Sequence, residues 1–293
     1  PNMAARALKT KMTHNIGVLF IDDYHSGLTH PYFAPVLESL KTEVENLGYD
    51  ITFINKNVGG REMSYLEHCR YRNVDGVVIA NVDFTKEEVV ELVESDIPVV
   101  TIDHVFNNCP AVVSDNIKGV RELTEYVISM GHKKIAYIHG QQNSVTKVRL
   151  ASFYRTMEEH GLSVPDEYVP EAPYLEGEAS SEATKKLLAL KNPPTCILYP
   201  DDYTAIGGIA VIREAGLSIP SDISVAGYDG ISLIQQFQPK LTTYAQDMSG
   251  IGKAAAQAIV DQIERPKSAL VEMIVKAGVV MPGASVRCLN ENE

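Results

Sequence analysis

Short aliphatic runs alternate with stretches of helical periodicity from Asn15 onward. In the first series, five runs rich in valine and isoleucine predict β-strands, at Ile16–Ile21, Asp50–Ile54, Gly76–Ala80, Pro98–Ile102 and Val112–Ser114. Apolar residues recur at helical spacing over residues 33–47, and Gly48 is placed to end that helix. Thr85 and Glu88 give the spacing of a capping box, which predicts the start of a helix that leads through Val93. A further helix is predicted over residues 116–131.

A second series of the same kind follows. Strands are predicted at Lys134–His139, Cys196–Tyr199 and Ile223–Ala226, and helices over residues 148–160, 178–190 and 203–215. Two such series predict two parallel sheets covered by helices on both faces. Because ligands of these folds bind beyond the carboxyl ends of the strands, two facing sheets predict a cleft between two lobes.

Composition adds that this is an acidic chain of globular type. Its 293 residues are 45% hydrophobic and 22% charged, and the formal net charge is −12. That charge disfavours a body that binds nucleic acid directly. No apolar run approaches the roughly 20 residues of a membrane span, and no secretory signal pattern is present, so a cytoplasmic location is predicted. The four cysteines are widely spaced, as in proteins of a reducing compartment.

Residues 1–14, PNMAARALKTKMTH, differ from the rest of the chain. They carry three basic residues, Arg6, Lys9 and Lys11, and no acidic residue. Met3–Leu8 is rich in good helix formers. A short basic helix beside an acidic body is typical of an arm that contacts nucleic acid. Taken alone, the segment is equally consistent with a frayed terminus.

Six motifs follow one another at characteristic spacing. They are VDGVVIA at 74–80, IPVVTID at 97–103, SDNIKGVRELTEYVISMGHKKIAYIHG at 114–140, the pair Arg149 and Phe153, PDDYTAIGGIAVIREAGLSIPSDISVAGYDG at 200–230, and LTTYAQDMSGIGKAAAQAIVDQI at 241–263. Each is modest evidence alone, but together and in this order they resemble the lactose-repressor (LacI/GalR) family of bacterial transcription regulators. The resemblance extends over essentially the whole chain.

The resemblance implies an α/β fold of two Rossmann-like lobes, periplasmic-binding-protein-like type I, with a ligand cleft between them. We assign residues 15–133 with 249–265 to the N-terminal lobe and residues 134–241 with 271–289 to the C-terminal lobe.

Residues 1–14 match the family's hinge helix and the tether that follows it. In the family, a leucine of this helix enters a base step of the DNA minor groove, and Leu8 matches that leucine, with Arg6 in the same segment. The sequence is therefore expected to represent the effector-binding core of a regulator without its helix-turn-helix headpiece.

The resemblance also implies eight effector-binding residues. Asp115, Arg149, Asp201, Asp229 and Gln246 match family positions, Tyr174 lies in a loop that often carries an aromatic residue, and Tyr24 and His25 belong to the long first loop. Asp201 departs from the family, in which asparagine is common. An arginine and carboxylates that hydrogen-bond to adjacent hydroxyls, with aromatic faces nearby, favour a sugar or a related polyol. The alternatives are helix capping for Asp201 and Asp229 and a salt bridge at a helix start for Arg149.

Other chemistries have less support in the sequence. Gly250–Ala255 resembles a dinucleotide fingerprint but lies outside an opening βαβ unit. Asp22, Asp23, His25 and His30 lack the spacing of a metal site. No motif sets a nucleophile beside a base, so neither an enzyme nor a cofactor nor a metal is predicted.

The sequence therefore favours a ligand-responsive, DNA-binding transcription regulator of the repressor type. Its expected partners are a small-molecule effector, operator DNA and a second copy of the chain, without a membrane. The apolar helix 33–47 is assigned to the homodimer interface. The rival hypothesis is a periplasmic-type sugar-binding protein of a transporter, which shares the two-lobe fold. The basic first segment, and the close match of GHKKIAYIHG and DISVAGYDG to the regulators, weigh against it.

Overall fold

The computed structural model describes residues 12–22 and 27–290, with the side chain of Gln235 left out. The chain forms two compact units. The first runs up to Ser114 and also includes Asp247–Lys276, and the second comprises Asp115–Gln246 and the residues from Ala277 on. The chain thus passes from one unit to the other three times.

The elements of the described residues follow the predicted alternation. The strands are β1 (Asn15–Phe20), β2 (Asp50–Ile54), β3 (Asn57–Val58), β4 (Arg61–Glu62), β5 (Gly76–Ala80), β6 (Val99–Ile102), β7 (Ala111–Ser114), β8 (Ile135–Tyr137), β9 (Cys196–Leu198), β10 (Ser224–Asp229), β11 (Thr242–Ala245), β12 (Met273–Lys276) and β13 (Val279–Met281). The helices are α1 (Phe33–Asn46), α2 (Tyr65–Arg72), α3 (Glu87–Val93), α4 (Asn116–Ser129), α5 (Ser144–Glu159), α6 (Gly177–Leu188), α7 (Asp202–Glu214) and α8 (Met248–Glu264). No described helix combines the length and the apolar content that crossing a membrane requires.

The first unit is built on a six-stranded parallel sheet. Its strand order is β12, β7, β6, β5, β1, β2, so the returning segment adds an edge strand beside β7. Strand β5 is buried along its whole length, as expected for a central parallel strand with helices on both faces. The predicted architecture of parallel sheets covered by helices is confirmed in this unit.

The second unit is built on a five-stranded sheet in the order β13, β11, β10, β9, β8. Strands β8 to β11 are parallel, and β13 runs antiparallel to β11. Its core joins apolar residues of the sheet to those of α4 and α5, among them Val120, Leu123, Tyr137, Phe153, Leu198, Tyr228 and Tyr244.

The structure places two lobe boundaries differently from the sequence analysis. Residues 115–133 belong to the second unit, because α4 packs against α5 and contributes Val120 and Leu123 to the second core. Residues 273–276 belong to the first unit, because β12 pairs with β7 in its sheet. The periodicity of α4 located a helix correctly but did not show which sheet it covers.

Several helix starts also differ from the prediction. Helix α5 begins at Ser144, where residue 148 was predicted. The capping box predicted at Thr85 is wrong: Thr85 bonds to Asp83, and α3 starts after Lys86 without a side-chain cap. A complete capping box lies instead at the start of α2. There the Ser64 hydroxyl accepts from the Glu67 N–H, and the Glu67 carboxylate accepts from the Ser64 N–H.

Thr13 and His14, directly before β1, are held mainly by the side chain of Asp75. The carboxylate of Asp75 accepts hydrogen bonds from the backbone N–H of Thr13 at 3.0 Å and of His14 at 2.6 Å. The Thr13 hydroxyl donates to the carbonyl oxygen of Asn73 at 2.7 Å, and the His14 ring lies 5.0 Å from the ring of Tyr49. These contacts fix residues 13 and 14 to the amino ends of β1 and β5.

Helices α1 and α8 pack closely in the first unit. The apolar residues of α1 that the sequence analysis assigned to a dimer interface are already used here: Val36 and Leu40 are fully buried. The close approach depends on Gly252, because a Cβ atom added to it would lie 2.3 Å from the carbonyl oxygen of Val36 and 2.6 Å from the backbone nitrogen of Leu40. Backbone atoms cannot move aside without shifting the helix.

We therefore expect Gly252→Ala to lower the free energy of unfolding by about 1–3 kcal/mol, as overpacking of a closely packed contact does. Gly177→Ala is the matched control, because Gly177 opens α6 and a Cβ atom added there would have nothing within 4 Å. That variant should be neutral or slightly more stable, because alanine loses less backbone entropy on folding. Urea unfolding of both variants measures the difference, and equal stabilities would contradict the packing argument.

Candidate functional site

Polar side chains gather at the carboxyl edge of the second sheet. Asp229 ends β10, Gln246 follows β11, and Asp201 lies three residues beyond β9. Arg149 reaches this edge from the first half of α5. These four predicted residues lie in one unit, and we call them, together with Tyr174, the edge cluster.

Arg149 is the central cation of the edge cluster, and it is only 4% exposed. Its Nε donates to the side-chain oxygen of Asn116 at 2.8 Å, and its Nη1 donates to the carbonyl oxygen of Pro200 at 3.0 Å. The guanidinium carbon lies 3.9 Å from the ring centroid of Tyr228 and 5.8 Å from that of Tyr174. The arginine is thus oriented by two neutral oxygens and by a cation–π contact.

The surroundings favour the charged form of Arg149. Burial alone would lower the pKa of its guanidinium, but the phenol oxygens of Tyr174, Tyr228 and Tyr137 and the carboxylate of Asp229 outweigh that effect and raise it. The side chain therefore remains a cation while it is almost fully removed from water. A salt bridge at a helix start, the alternative weighed for this residue, does not describe its contacts with Asn116 and Pro200.

Asp229 and Gln246 form a pair at the ends of neighbouring strands. Gln246 Nε2 donates to Asp229 Oδ1 at 2.6 Å, and the Gln246 N–H donates to the Asp229 carbonyl oxygen at 3.0 Å. Asp229 has a φ of 108°, a conformation that L residues adopt rarely and that occurs at functional sites. Gln246 Oε1 is buried and accepts no hydrogen bond among the described residues.

Asp201 has the capping role that the sequence analysis weighed as its alternative. Its Oδ1 accepts from the Thr204 N–H at 2.7 Å as the N-cap of α7, and its Oδ2 accepts from the Leu175 N–H at 3.0 Å. Burial raises the pKa of the Asp201 carboxyl, although these hydrogen bonds and Arg149 act in the opposite direction. Capping α7 and lining the cluster are compatible, because each carboxylate oxygen has further lone pairs.

Tyr174 is placed by its neighbours. Its hydroxyl bonds with the Thr146 hydroxyl at 2.9 Å, and its N–H donates to the side-chain oxygen of Gln141 at 2.9 Å. The ring packs on Gly140, where an added Cβ would lie 2.1 Å from Tyr174 Cε2. Any larger residue at position 140 would displace the aromatic ring from the edge cluster.

Asp202 is a buried carboxylate that the sequence analysis missed. It is fully buried, and its Oδ2 accepts from the N–H groups of Gly230 at 2.6 Å and Ile231 at 2.9 Å, while its Oδ1 accepts from the Thr243 hydroxyl at 2.7 Å. Burial, and secondly the nearby Asp229, raise the pKa of Asp202 well above its usual range. The residue fixes the turn directly after Asp229.

Of the five other predicted residues, the structure describes only Asp115. Tyr24 and His25, and the hinge residues Arg6 and Leu8, lie outside the described residues. Asp115 caps α4, with Oδ1 accepting from the Lys118 N–H at 3.0 Å, and it adjoins the Asn116 that orients Arg149. Its place in an effector site stays a prediction.

The residues considered for a metal site and for a dinucleotide fingerprint have other roles in the structure. Within the described part of the chain, no group of His, Cys, Asp and Glu residues is arranged to hold a metal ion. Asp22 accepts from the Gly27 N–H at 2.6 Å, and His30 Nδ1 accepts from two N–H groups at the start of α1. The glycines of Gly250–Ala255 serve the N-cap of Asp247 and the packing of α8.

Removal of the Asp202 carboxylate would leave two buried N–H groups and one buried hydroxyl without their acceptor. We expect Asp202→Ala to lower the free energy of unfolding by about 2–4 kcal/mol. Asp222→Ala is the control, because Asp222 is exposed and its carboxylate accepts from the Ser218 N–H at the surface; its cost should stay below about 1 kcal/mol. Urea unfolding compares the two, and equal losses would mean that Asp202 has no special structural role.

Comparison with known proteins identifies the family. A family model described as periplasmic binding protein-like domain matches residues 124–286. The HTH-type transcriptional repressor PurR of Histophilus somni is 31% identical over 268 residues, which cover 90% of this chain and 79% of that protein. The repressor of the same name from Pasteurella multocida is 30% identical over 280 residues, which cover 93% and 82%.

Solved structures agree with the fold. A LacI transcriptional regulator from a Rhodococcus species has a TM-score of 0.80 at 22% identity, covering 94% of this chain and 99% of that one. A LacI family regulator from Enterococcus faecium, with bound ribose, has a TM-score of 0.80 at 24% identity and the same coverage. The named relatives are transcriptional regulators and not enzymes. The chain belongs to the LacI family of transcriptional regulators, as its sequence motifs predicted.

Proposed function

We propose that the protein is a transcription regulator whose effector is a sugar or a sugar derivative, bound at the edge cluster. The observation that carries this proposal is the arrangement of one buried, stacked arginine beside two buried carboxylates at the carboxyl edge of a parallel sheet. Such an edge is where ligands of open α/β sheets bind. The membership of the family supplies the regulatory role, and the side chains supply the chemistry of the ligand.

The chemistry of the edge cluster suits adjacent hydroxyl groups. Asp201 and Asp229 accept hydrogen bonds from hydroxyls, and the remaining N–H groups of Arg149 donate to hydroxyl oxygens. The ring of Tyr174 offers an apolar face for C–H groups. Two proteins of similar fold are described with sugars: the regulator from Enterococcus faecium with ribose, and the regulator CelR in complex with cellobiose.

The proposed mechanism couples the ligand to DNA through the protein's own conformations. A ligand changes the balance between two conformations only if it binds them with different affinity. In the proposed regulator, the effector would favour one arrangement of the DNA-contacting segments, with Arg6 and Leu8 as the hinge residues. Whether the effector acts as inducer or corepressor follows from which conformation it binds more tightly.

The transporter-associated sugar-binding protein is the weaker candidate. It shares the fold, but the relatives that match over 90% or more of this chain are named as transcriptional repressors. The cytoplasmic location is proposed with the regulator function.

We also propose a homodimer formed through the first unit. A groove of about 490 Å³ runs between α1 and the edge strand β2. Seven of its eleven lining residues are apolar, among them Leu28 and Phe53, which are 59% and 43% exposed. The other four are charged: Glu38, Lys41, Glu45 and Asp50. A two-fold interface presents the same surface on both copies, and an open edge strand with an apolar groove beside it suits that arrangement.

The binding site is tested with Arg149→Ala. We expect a loss of about 2–5 kcal/mol in the binding free energy of the preferred sugar, because the ligand oxygens and neighbouring carboxylates lose their charged partner. Isothermal titration calorimetry with a panel of sugars and sugar derivatives measures it, at a temperature where circular dichroism shows the variant folded. Arg155→Ala is the control, since Arg155 is exposed on the same helix and pairs with Glu159.

Unchanged affinity in the folded Arg149→Ala variant would remove Arg149 from the site. Binding by no sugar in the panel would refute the sugar assignment while the family membership stands.

The interface is tested with Phe53→Glu. We expect the wild type to have twice the mass of one chain by light scattering at micromolar concentration, and the variant to have the mass of a monomer, because a charge would be buried in the interface. Tyr71→Glu is the control, since Tyr71 is 62% exposed on α2 and outside the groove. A monomeric wild type would rule out the dimer, and a dimeric Phe53→Glu would place the interface elsewhere.

A further inference from the structure

The charges of the edge cluster are unbalanced. Arg149 is its only cation among the described residues, and two buried carboxylates, Asp201 and Asp229, belong to the same cluster. A third buried carboxylate, Asp202, lies directly behind them in hydrogen-bonding contact with the turn after Asp229. Even without Asp202, the carboxylates of Asp201 and Asp229, when ionised, outnumber the cation before any ligand arrives.

Protein groups already occupy part of the Arg149 guanidinium. Its Nε and Nη1 are directed to Asn116 and Pro200, and one face of its guanidinium covers the ring of Tyr228. An anion would have to approach the remaining N–H groups at the guanidinium edge while close to the carboxylates. The bidentate geometry that makes arginine a strong binder of phosphate requires two parallel N–H groups free of other acceptors.

The surroundings of the buried carboxyl groups disfavour negative charge. Burial raises the pKa of Asp201 and, more strongly, of Asp202, and the nearby Asp229 adds to the effect on Asp202. A further negative charge in the same low-dielectric region would be repelled in addition to losing its own hydration. A region that disfavours the ionised form of its own carboxyl groups also disfavours an anionic ligand.

The side chain of Gln246 indicates independently that the ligand carries a hydrogen-bond donor. Its amide is oriented by the bond from Nε2 to Asp229 Oδ1 at 2.6 Å, since the flipped amide would direct an oxygen at the carboxylate. Its Oε1 is then a buried acceptor that receives no hydrogen bond among the described residues. A buried acceptor without a donor is costly, and a ligand O–H or N–H would satisfy it. A phosphate or carboxylate group consists mainly of further acceptors.

We infer that the effector presents uncharged hydrogen-bond donors to the edge cluster: it is a neutral polyol with adjacent hydroxyls, and not a phosphorylated or carboxylated sugar. This inference rests on the proposed function, because it specifies the charge of the sugar that the same site binds. The edge cluster then has two opposite tasks. Arg149 recognises hydroxyl oxygens, and Asp229 with Gln246 selects donors and rejects anions.

Matched ligand pairs test the inference by titration calorimetry on the full chain. The pairs are ribose with ribose 5-phosphate, glucose with glucose 6-phosphate, and glucose with glucuronate. For a pair whose neutral member binds, we expect the charged member to bind at least about tenfold more weakly, a difference of about 1.4 kcal/mol.

The variant Asp229→Asn tests whether the edge cluster causes this discrimination between neutral and charged ligands. Asparagine retains an acceptor for Gln246 Nε2 and tolerates a positive φ, but it removes one negative charge. The ratio of the two dissociation constants within a pair should therefore fall by severalfold, even if both affinities change. Glu167→Gln removes an exposed charge of the same unit and should leave the ratio unchanged.

The possible outcomes separate this inference from the proposed function. A charged member that binds as tightly as its neutral partner, or more tightly, overturns the inference and leaves the sugar assignment in place. A ratio that is the same in Asp229→Asn as in the wild type also overturns it, because the selection then lies outside the cluster. A panel in which no member of any pair binds refutes the sugar assignment, and with it this inference.

Discussion

The carboxylate of Asp202 ties the start of α7 to the ends of β10 and β11. It accepts from two N–H groups after β10 and from a hydroxyl of β11, so three segments of chain meet at two oxygen atoms. Gly227 permits this contact, since a Cβ there would lie 2.1 Å from Asp202 Oδ1. Asp229 and Gln246 stand at the ends of the same two strands, and their pairing depends on the positions that this carboxylate sets. The conformation of Asp229 at a φ of 108° is held within that framework.

Patterns in the sequence predicted where the helices and strands lie better than they predicted which unit each one belongs to. Most parallel strands of the first sheet were predicted to within one residue, because buried parallel strands consist of continuous aliphatic runs. In the second sheet, the prediction for β10 ended three residues early and β11 was not predicted. The assignment of α4 was wrong, because its apolar stripe fits either sheet and its side chains contact residues more than ten positions away along the chain. Helix α2 was missed for another reason. It is short and polar, and its signal was the Ser64 and Glu67 capping box, whereas the similar spacing at Thr85 serves a turn held by Asp83.

The residues of the edge cluster could be predicted because sequence motifs and sheet topology indicate the same positions. Asp201, Asp229 and Gln246 meet because parallel strands end at one edge, and a sequence motif marks each of those ends. Arg149 reaches the same edge from α5 and belongs to a motif of its own. The hydrogen bonds could not be predicted in the same way. In the Asp201–Asp202 pair, both residues have the same side chain, and only the three-dimensional structure shows that the first caps a helix and the second supports a neighbouring turn. The selectivity for ligand charge that we infer would likewise be a property of the assembled group, since it depends on how many carboxylates are buried around one cation.

The bonds from Thr13 and His14 to Asp75 have a mechanical consequence. Consecutive backbone N–H groups that share one carboxylate cannot rotate independently, so the chain enters β1 from a direction set by the first sheet. Thr13 and His14 therefore form a stiff joint that is fixed to the first unit. A rotation of the first unit would turn these two residues with it, where a flexible linker would absorb the motion. In the dimeric regulator that we propose, a stiff joint at this position would convert a small turn of the first unit into a change of spacing between the two DNA-contacting segments.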